Sequence, residues 1–385
     1  MEALSAINFL LAALFAACYC YQAVFLGARL LRKRRTFTAR KLCRYAVLIA
    51  ARNESAVIAQ LLESIRQQDY PQDLLDIYVV ADNCTDGTAS IAREHGARVF
   101  ERQNKMQVGK GYALAFLLEH IREDFPQERY DGYFVFDADN LLDPHFVTEM
   151  NKVFSNGNRA VTGYRNTKNF GDNWITAGYG IWFLRESEYL NRPRDYLGTS
   201  CAVSGTGFLF AQDLLDELGG WEYFLLTEDL EFTADLVARG IRIAYCHDAM
   251  VYDEQPQSFK QSIIQRSRWV KGYLQVVAKR GGSMVKTMLC DGSFACFDML
   301  MCTIPAVVLT VISLVLNAAM FVVGHHLGPQ PDGHFLRLGA GVGGELLRHH
   351  VSSGRGDFAD GGAGASAAPV GRRSPIPSLS PSLCS

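Results

Sequence analysis

Neither sign of charge prevails in this sequence: 38 lysines and arginines stand against 40 aspartates and glutamates, a formal net charge of −2 over 385 residues. Without a basic excess the chain lacks the electrostatic footprint of a nucleic-acid partner. Its 10 cysteines include no Cys-x-x-Cys pair and no metal-ligand spacing. That argues against a zinc module or a disulfide framework, and reduced thiols used as small apolar residues suit a cytoplasmic domain. Charge is missing altogether from Ala3 to Ala28 and from Met299 to Val323. Each run is long enough to cross a bilayer, for which about 20 apolar residues suffice. Arg29, Arg32, Lys33, Arg34, Arg35, Arg40 and Lys41 follow the first run directly, which places its C-terminal side in the cytoplasm. A cleaved signal peptide is the competing reading, but Glu2 replaces the basic start and no small-residue cleavage site precedes the cluster. Two crossings put Arg29 to Asp298 on the cytoplasmic side.

Lysine is absent from Gly324 onward, where glycines, the run "SPIPSLSPSL" and His325, His326, His334, His349 and His350 accumulate. Such a composition does not build a packed core, so a low-complexity, disordered tail is expected. The abrupt shift also suggests a reading-frame change or a truncated gene.

Between the apolar runs, strand-like and helix-like patterns alternate. "RYAVLIAAR" from Arg44 reads as a buried strand, and "SAVIAQLLESIRQQ" as a helix capped by Ser55. A strand ending at Asp82, the strand "ARVFER", the helix "KGYALAFLLEHIRE" and the strand "YFVFDAD" follow. Repeated strand then helix predicts an α/β fold with a mainly parallel, Rossmann-like sheet, whose ligands sit beyond the carboxyl ends of the strands. Further on come a helix near Pro144–Phe154, a strand "RAVTGYRN", a long aromatic helix from Trp174 to Leu190 and a helix "TEDLEFTADLVARG" stopped by Gly240, then one or two final strands. From Ser258 to Arg280, basic residues alternate with Phe259, Ile263, Ile264, Trp269, Tyr273 and Leu274, the pattern of an amphipathic helix on a membrane surface or of a surface helix packed on the domain. The expected organisation is a transmembrane helix 1–28, a basic juxtamembrane linker 29–43, an α/β domain 44–256, an amphipathic interface segment 257–298, a transmembrane helix 299–323 and the tail 324–385.

The chemistry-bearing residues fall at the strand ends. Asp137 and Asp139 close an apolar run and, two apart on a strand, point to one side. Hard carboxylate oxygens suit Mg2+ or Mn2+, which bind through one or two carboxylates and complete their shell with phosphate. A solvated loop with two aspartates is the blander reading. Asp82, Asn83 and Asp86 in "ADNCTDGT" can hydrogen-bond a nucleoside or merely make Asx turns. Lys110 in "GKGYAL" is a phosphate neighbour or a solvated helix-start lysine. Glu228 and Asp229 in "TED" offer a carboxylate for an acceptor proton, or serve the helix dipole. "QRSRW", Gln265–Trp269, joins a forked cation for phosphate to an aromatic face for a sugar.

In this order, "VVADNCTDGT", "GKGYAL", "FDADN", "TED" and "QRSRW" resemble the inverting family 2 glycosyltransferases of bacterial membranes, among them cellulose, hyaluronan, chitin-oligosaccharide and poly-N-acetylglucosamine synthases, over roughly Arg44 to Lys271. The resemblance implies a GT-A fold in a multi-pass plasma-membrane protein with a cytoplasmic catalytic domain, transferring sugar from a UDP-sugar donor to a saccharide or lipid acceptor. It makes Asp82 a contact to uridine, Lys110 a neighbour of the nucleotide, Asp137 and Asp139 the metal pair with Asp139 foremost, and Asp229, beside Glu228, the general base. Arg268 comes near the diphosphate and Trp269 under the acceptor sugar, with Gln265 and Arg266 in the same motif. Ser204–Gly207, with Gly205 and Thr206 at its centre, matches an acceptor-side loop, and His247 is either a metal contact or a satisfied loop histidine. Processive members continue with several membrane helices, whereas one apolar run follows "QRSRW" here. A glycolipid or short-saccharide product, an additional membrane subunit, or a truncated synthase each accommodates that difference. Two rivals stand beside the transferase reading: a non-catalytic accessory subunit, and a nucleotidyltransferase releasing pyrophosphate.

Overall fold

Strand β1 (Tyr45–Ala51) is buried along nearly its whole length and sits between β2 (Leu75–Asp82) and β4 (Gly132–Asp137), parallel to both. This is the apolar run that a strand covered on both faces requires. The computed structural model describes residues 2–33 and 35–327 and arranges eight strands in the order β3-β2-β1-β4-β7-β6-β8-β5, where β3 is Arg98–Arg102, β5 Leu141–Leu142, β6 Ala160–Thr167, β7 Phe208–Ala211 and β8 Ile243–Asp253. Parallel pairing holds from β3 to β4 and between β6 and β8; β7 is antiparallel to both its neighbours and β5 to β8.

Register sets the site. Ala51 pairs with Ala81 and Ala50 with Asp137, so the carboxyl ends of β1, β2 and β4 finish level. Because β7 runs antiparallel to β4, the residues that precede β7 arrive at that same edge, where the Gly207 N–H donates to the Val135 carbonyl at 3.0 Å. The ends of β6 and β8, which are parallel to one another, bring Arg165 and Asp253 to it as well.

Helices α3 (Ile58–Arg66), α4 (Thr88–Glu94), α5 (Lys110–Asp124) and α6 (Phe146–Phe154) bury one apolar face each, for example Leu114, Leu117 and Ile121 of α5. Ser55 does not cap α3, which begins at Ile58; its N–H instead donates to Asp86 at 3.1 Å from the loop after β2. The aromatic helix foreseen over Trp174–Leu190 is regular only as α7 (Trp174–Leu184), continues as a π-helical segment Arg185–Asn191 and passes into α8 (Arg192–Leu197). After β7 come α9 (Gln212–Leu218) and α10 (Glu228–Ala238), the latter followed by Gly240 at φ 74°.

The amphipathic segment is part of a longer helix, α11 (Phe259–Asp291). Phe259, Ile263, Ile264, Val270 and Leu274 are exposed on it, while Gly272, Val276 and Met284 are buried. Lys279 and Arg280 reach α10, at 2.5 Å from Glu231 and 2.7 Å from Asp235 respectively.

The N-terminal apolar run is two helices rather than one: α1 (Glu2–Tyr19) and α2 (Gln22–Leu31), bent by 43° at the break. Polar anchoring explains the bend. Tyr21 donates to Asp298 at 2.8 Å, Arg29 pairs with Glu188 at 2.9 Å, and Phe25 and Ala28 are buried. The pair is long and apolar enough to cross a membrane only if taken as one bent span, whereas Phe294–Val322 passes alone. That second stretch belongs to α12 (Phe294–Leu327), longer at both ends than the 299–323 expected. The chain divides into two compact units, Met1–Ala318 and Ala319–Ser385; of the second, the end of α12 is described. The rest of the expected tail, including His334, His349 and His350, lies outside the described residues.

Candidate active site

At the carboxyl edge of the sheet, Asp137 ends β4 and its Oδ1 lies 2.6 Å from Lys110 Nζ. Lys110 also donates to the Gly205 carbonyl at 2.8 Å and stands 3.9 Å from Glu228. Two glycines make this approach possible. Gly109 adopts φ 140° just before α5, and a methyl group on Gly111 would overlap the Tyr223 carbonyl oxygen. Burial works against the Lys110 ammonium, but Asp137, Glu228 and Asp229 outweigh it and hold its pKa above the ordinary lysine value.

Asp139 sits beyond the strand end. Burial first, then Asp253, Asp137 and Glu54, push its pKa up to about 8, with Arg165 opposing them. Asn140, fully buried, ties the group together: its side chain donates to Asp139 at 3.3 Å and to Asp253 at 3.2 Å, and accepts from the Asp137 N–H at 3.0 Å and from the Thr206 hydroxyl. Arg165 pairs with Asp253, and Lys168 donates to the Asp139 carbonyl at 2.7 Å. Among the described residues no three carboxylates, histidines or cysteines converge as a metal cage. The donor set is instead a carboxylate pair crowded by like charge, which fits a divalent cation that takes its other ligands from phosphate and water. Asp137 and Asp139 would hold it.

Glu228 and Asp229 open α10 beside Lys110. Burial pushes Glu228 up to about 8, Lys110 opposing and Asp229 adding to the rise. Asp229 is likewise raised by burial, although the N–H groups of Leu230 and Gly205 pull it back. The α10 start is held from behind by α11, where a β-carbon on Gly272 would stand 2.5 Å from Thr227 Cγ2. Only a glycine lets that helix pack so closely on the residue before Glu228.

The Ser204–Gly207 loop is the hub. The Ser204 carbonyl accepts from Arg165 at 2.9 Å, the Gly205 carbonyl from Lys110, and the Thr206 hydroxyl accepts from the Asp137 N–H at 3.0 Å. Positive φ at Gly205 (76°) and Gly207 (66°) shapes it. The structure therefore brings together Lys110, Asp137, Asp139, Gly205, Thr206, Glu228 and Asp229.

Other residues singled out in the sequence stand apart from that hub. Asp82 is buried at the end of β2 and paired with Arg102 at 2.7 Å, and Asn83 follows it at φ 54°. Asp86 accepts from the Thr88 N–H, at the first residue of α4, at 3.1 Å. In the "QRSRW" turn of α11, Trp269 packs edge-on against Tyr179 at 5.7 Å and Arg266 lies 4.7 Å from the same ring. Arg268 is exposed and makes no ion pair with a described residue, while Gln265 Oε1 is buried without a hydrogen-bond partner among them. His247 pairs with Glu188 at 3.1 Å and shares a cavity of about 490 Å³ with Arg35, Lys152 and Arg192, away from the carboxylate pair.

Sequence reasoning missed Asn53, Glu54, Arg165, Glu186 and Asp253. Asn53, two residues beyond β1, has φ 58° and accepts from the Thr85 N–H at 2.8 Å. A polar residue just past a buried strand was the available signal for it and for Glu54. Arg165, Glu186 and Asp253 carried no local signal, since only sheet pairing and the π-helical segment aim them at the site.

This chain belongs to the glycosyltransferase-like family 2, which matches residues 43–272, more than half its length. It is 28% identical over 246 residues to a probable glycosyltransferase, YdaM, of Bacillus subtilis, covering 62% of this chain and 57% of that protein. A β-monoglucosyldiacylglycerol synthase of Synechocystis is 27% identical over 235 residues (60% and 47%). Poly-β-1,6-N-acetyl-D-glucosamine synthase of Staphylococcus epidermidis is 25% identical over 242 residues (62% and 57%). The chain spans about half the length of these curated relatives. In fold it is similar to a mannosyltransferase from Pyrobaculum calidifontis solved with GDP-Man and Mn2+, with a TM-score of 0.61 at 18% identity over 91% of this chain and 95% of that one. The fold is the expected α/β GT-A type.

Proposed function

We propose that the protein is an inverting glycosyltransferase that moves a sugar from a UDP-sugar to a hydroxyl of a saccharide or lipid acceptor at the cytoplasmic face of the plasma membrane, in glycolipid or polysaccharide synthesis. The carrying observation is the convergence of Lys110, Asp137, Glu228 and Asp229 on the Ser204–Thr206 loop at the carboxyl edge of one sheet. Two opposed needs meet there, positive charge for a departing diphosphate and a carboxylate for an incoming hydroxyl.

In this reading Asp229 accepts the acceptor proton. Burial keeps its carboxylate more basic than in water, which suits a general base. Glu228, whose pKa burial also raises, stands 3.9 Å from Lys110 and keeps it directed at the nucleotide side. Asp137 and Asp139 would hold Mg2+ or Mn2+, which would supply positive charge to stabilise the leaving diphosphate. Asp82 orients the uridine from a side chain already fixed by Arg102. Trp269, with Gln265 and Arg266, lines the acceptor side on α11, and Arg268, free of ion pairs to described residues, is available to phosphate.

The segment plan, an α/β domain over 44–256 followed by an interface helix and flanked by membrane helices, is part of this proposal. Exposed apolar residues on α11 and the apolar α12 support it. That named relatives make a glucosyl lipid and an N-acetylglucosamine polymer favours a product of one of those two kinds, built on a lipid or a saccharide acceptor.

The test is nucleoside diphosphate release by the detergent-purified protein with Mg2+ or Mn2+ over a panel of UDP-sugars, for wild type, Asp139→Ala and Asp229→Asn. Metal-dependent UDP release lost in both variants, with UDP binding kept in Asp229→Asn, is the expected result. Free pyrophosphate would instead mark a nucleotidyltransferase. UDP binding without turnover of any donor would mark a non-catalytic subunit working with a further membrane partner.

A further inference from the structure

Glu186 lies outside every motif that drew attention in the sequence, yet it ends up against the hub of the site. It belongs to the π-helical segment Arg185–Asn191, whose wider turn re-aims side chains relative to a continuous α-helix; such turns gather at functional sites. Glu188, in the same segment, pairs with Arg29, Arg192 and His247, away from the cleft. Glu186 Oε2 accepts from the Ser204 hydroxyl at 2.9 Å. The next residue, Gly205, directs its N–H at Asp229 and its carbonyl at Lys110. Arg165, held over the Phe183 ring at 4.2 Å, donates to the Ser204 carbonyl and so supplies positive charge beside both carboxylates. Tyr273 of α11 is close enough for both Glu186 and Asp229 to raise its phenol pKa, after burial.

The second oxygen of Glu186 accepts from no described residue, and the residue, though largely buried, keeps part of its surface exposed. In its ionised form a carboxylate is acceptor-only, so the partner that suits its free oxygen is an O–H or an N–H and not a phosphate oxygen. Burial holds the Glu186 pKa above its ordinary value, with the Ser204 hydroxyl opposing the rise.

We propose that Glu186 is an acceptor-binding residue: its free carboxylate oxygen accepts a hydrogen bond from a second hydroxyl of the acceptor while Asp229 receives the reacting one. This rests on the transferase reading and sharpens it, because it selects acceptors with at least two hydroxyl or N–H groups near the reacting position. A sugar ring offers them together, whereas diacylglycerol offers one. The favoured acceptor is therefore a saccharide or an already glycosylated lipid.

The test uses the full chain in detergent with N-acetylglucosamine oligosaccharides, a monoglucosyl lipid and dioctanoylglycerol as acceptor probes, comparing wild type, Glu186→Ala, Glu186→Gln and Ser204→Ala. With a sugar acceptor, Glu186→Ala is expected to raise the acceptor KM roughly ten- to a hundredfold, as for loss of a hydrogen bond to a charged group, and to leave the donor KM within about twofold. Glu186→Gln, isosteric and still carrying an acceptor oxygen, is expected to recover part of that loss. Ser204→Ala, which removes the hydroxyl that holds Glu186 but leaves its carboxylate in place, is expected to raise the acceptor KM clearly less than Glu186→Ala does. If Ser204→Ala reproduces Glu186→Ala, or if donor and acceptor KM rise together, Glu186 only braces the loop and the proposal fails. Transfer to dioctanoylglycerol alone would also overturn it while sparing the transferase reading; a wild type that transfers to none of the probes would count against both.

Discussion

Removing one half of the Arg194–Asp298 pair is expected to destabilise the protein sharply. Arg194 Nε lies 2.6 Å from Asp298 Oδ2, and the two side chains are 2% and 0% exposed. Asp298 also accepts from Tyr21 at 2.8 Å, and Arg194 donates to Asn191 at 3.2 Å, so α8, the α1–α2 break and the start of α12 meet at one buried charge pair. Two unit charges about 4 Å apart attract by roughly 4 kcal/mol at an effective dielectric constant near 20. Taking away one partner also leaves the other charge without compensation in a site that excludes water, and such changes cost about 3–5 kcal/mol. Arg194→Met and Asp298→Asn are each expected to lose that much, lowering the apparent Tm in detergent by more than about 5 °C at a fixed scan rate. The Arg194→Met/Asp298→Asn double variant removes both charges and is expected to recover most of the loss. Single variants that each cost under about 1 kcal/mol, or a double variant whose loss equals the sum of the singles, would refute the argument, because neither outcome is compatible with two coupled buried charges.

Further expectations concern the active-site frame and the response to acid. Gly272→Ala places a β-carbon 2.5 Å from Thr227 Cγ2 and is expected to shift the start of α10, lowering kcat on the order of tenfold or more with a smaller effect on donor KM; unchanged kcat would show that α11 does not set the position of Asp229. Burial alone would raise the Glu188 pKa, but hydrogen bonds from His247 and Arg192 overcome it and bring it down to about 2. Its contribution is therefore fully present above the ordinary glutamate range, near pH 4.5, and is lost as pH falls from there toward 2, on the order of 3 kcal/mol in all. Acid unfolding of Glu188→Gln is expected to show a shallower pH dependence over that window, and a slope equal to wild type would rule the residue out as a source of acid sensitivity.

The elements that local pattern determines were legible. Tyr45–Ala51 and Gly132–Asp137 had to be buried strands because their apolar runs are too short and too continuous for amphipathic helices, and Lys110–Asp124 had to be a helix because its apolar residues recur at helical spacing. The strand-to-carboxylate transitions at Asp82 and Asp137 were equally legible, since ligands of parallel sheets lie beyond the carboxyl ends. The bend between α1 and α2 was not, because an uninterrupted apolar run gives no hint that Tyr21 will be drawn to Asp298, which is 277 positions away. Ser55 misled for a related reason: α3 begins only at Ile58, and the Ser55 backbone is tied to Asp86 in the loop after the next strand.

By itself, then, the sequence determined the class of the sheet, the place of Asp137 and Asp139 at a strand's end, the glycine-flanked Lys110 and the acidic start of α10, because each follows from residues within one turn or one strand of each other. Only the tertiary structure decided that these meet. The antiparallel entry of β7 delivers Ser204–Thr206 to the end of β4, the pairing of β6 with β8 carries Arg165 and Asp253 to the same edge, and a π-helical turn aims Glu186 at it. Those placements depend on strand order and helix register, which are set by burying the faces of the whole sheet at once and leave no mark at the residues they position.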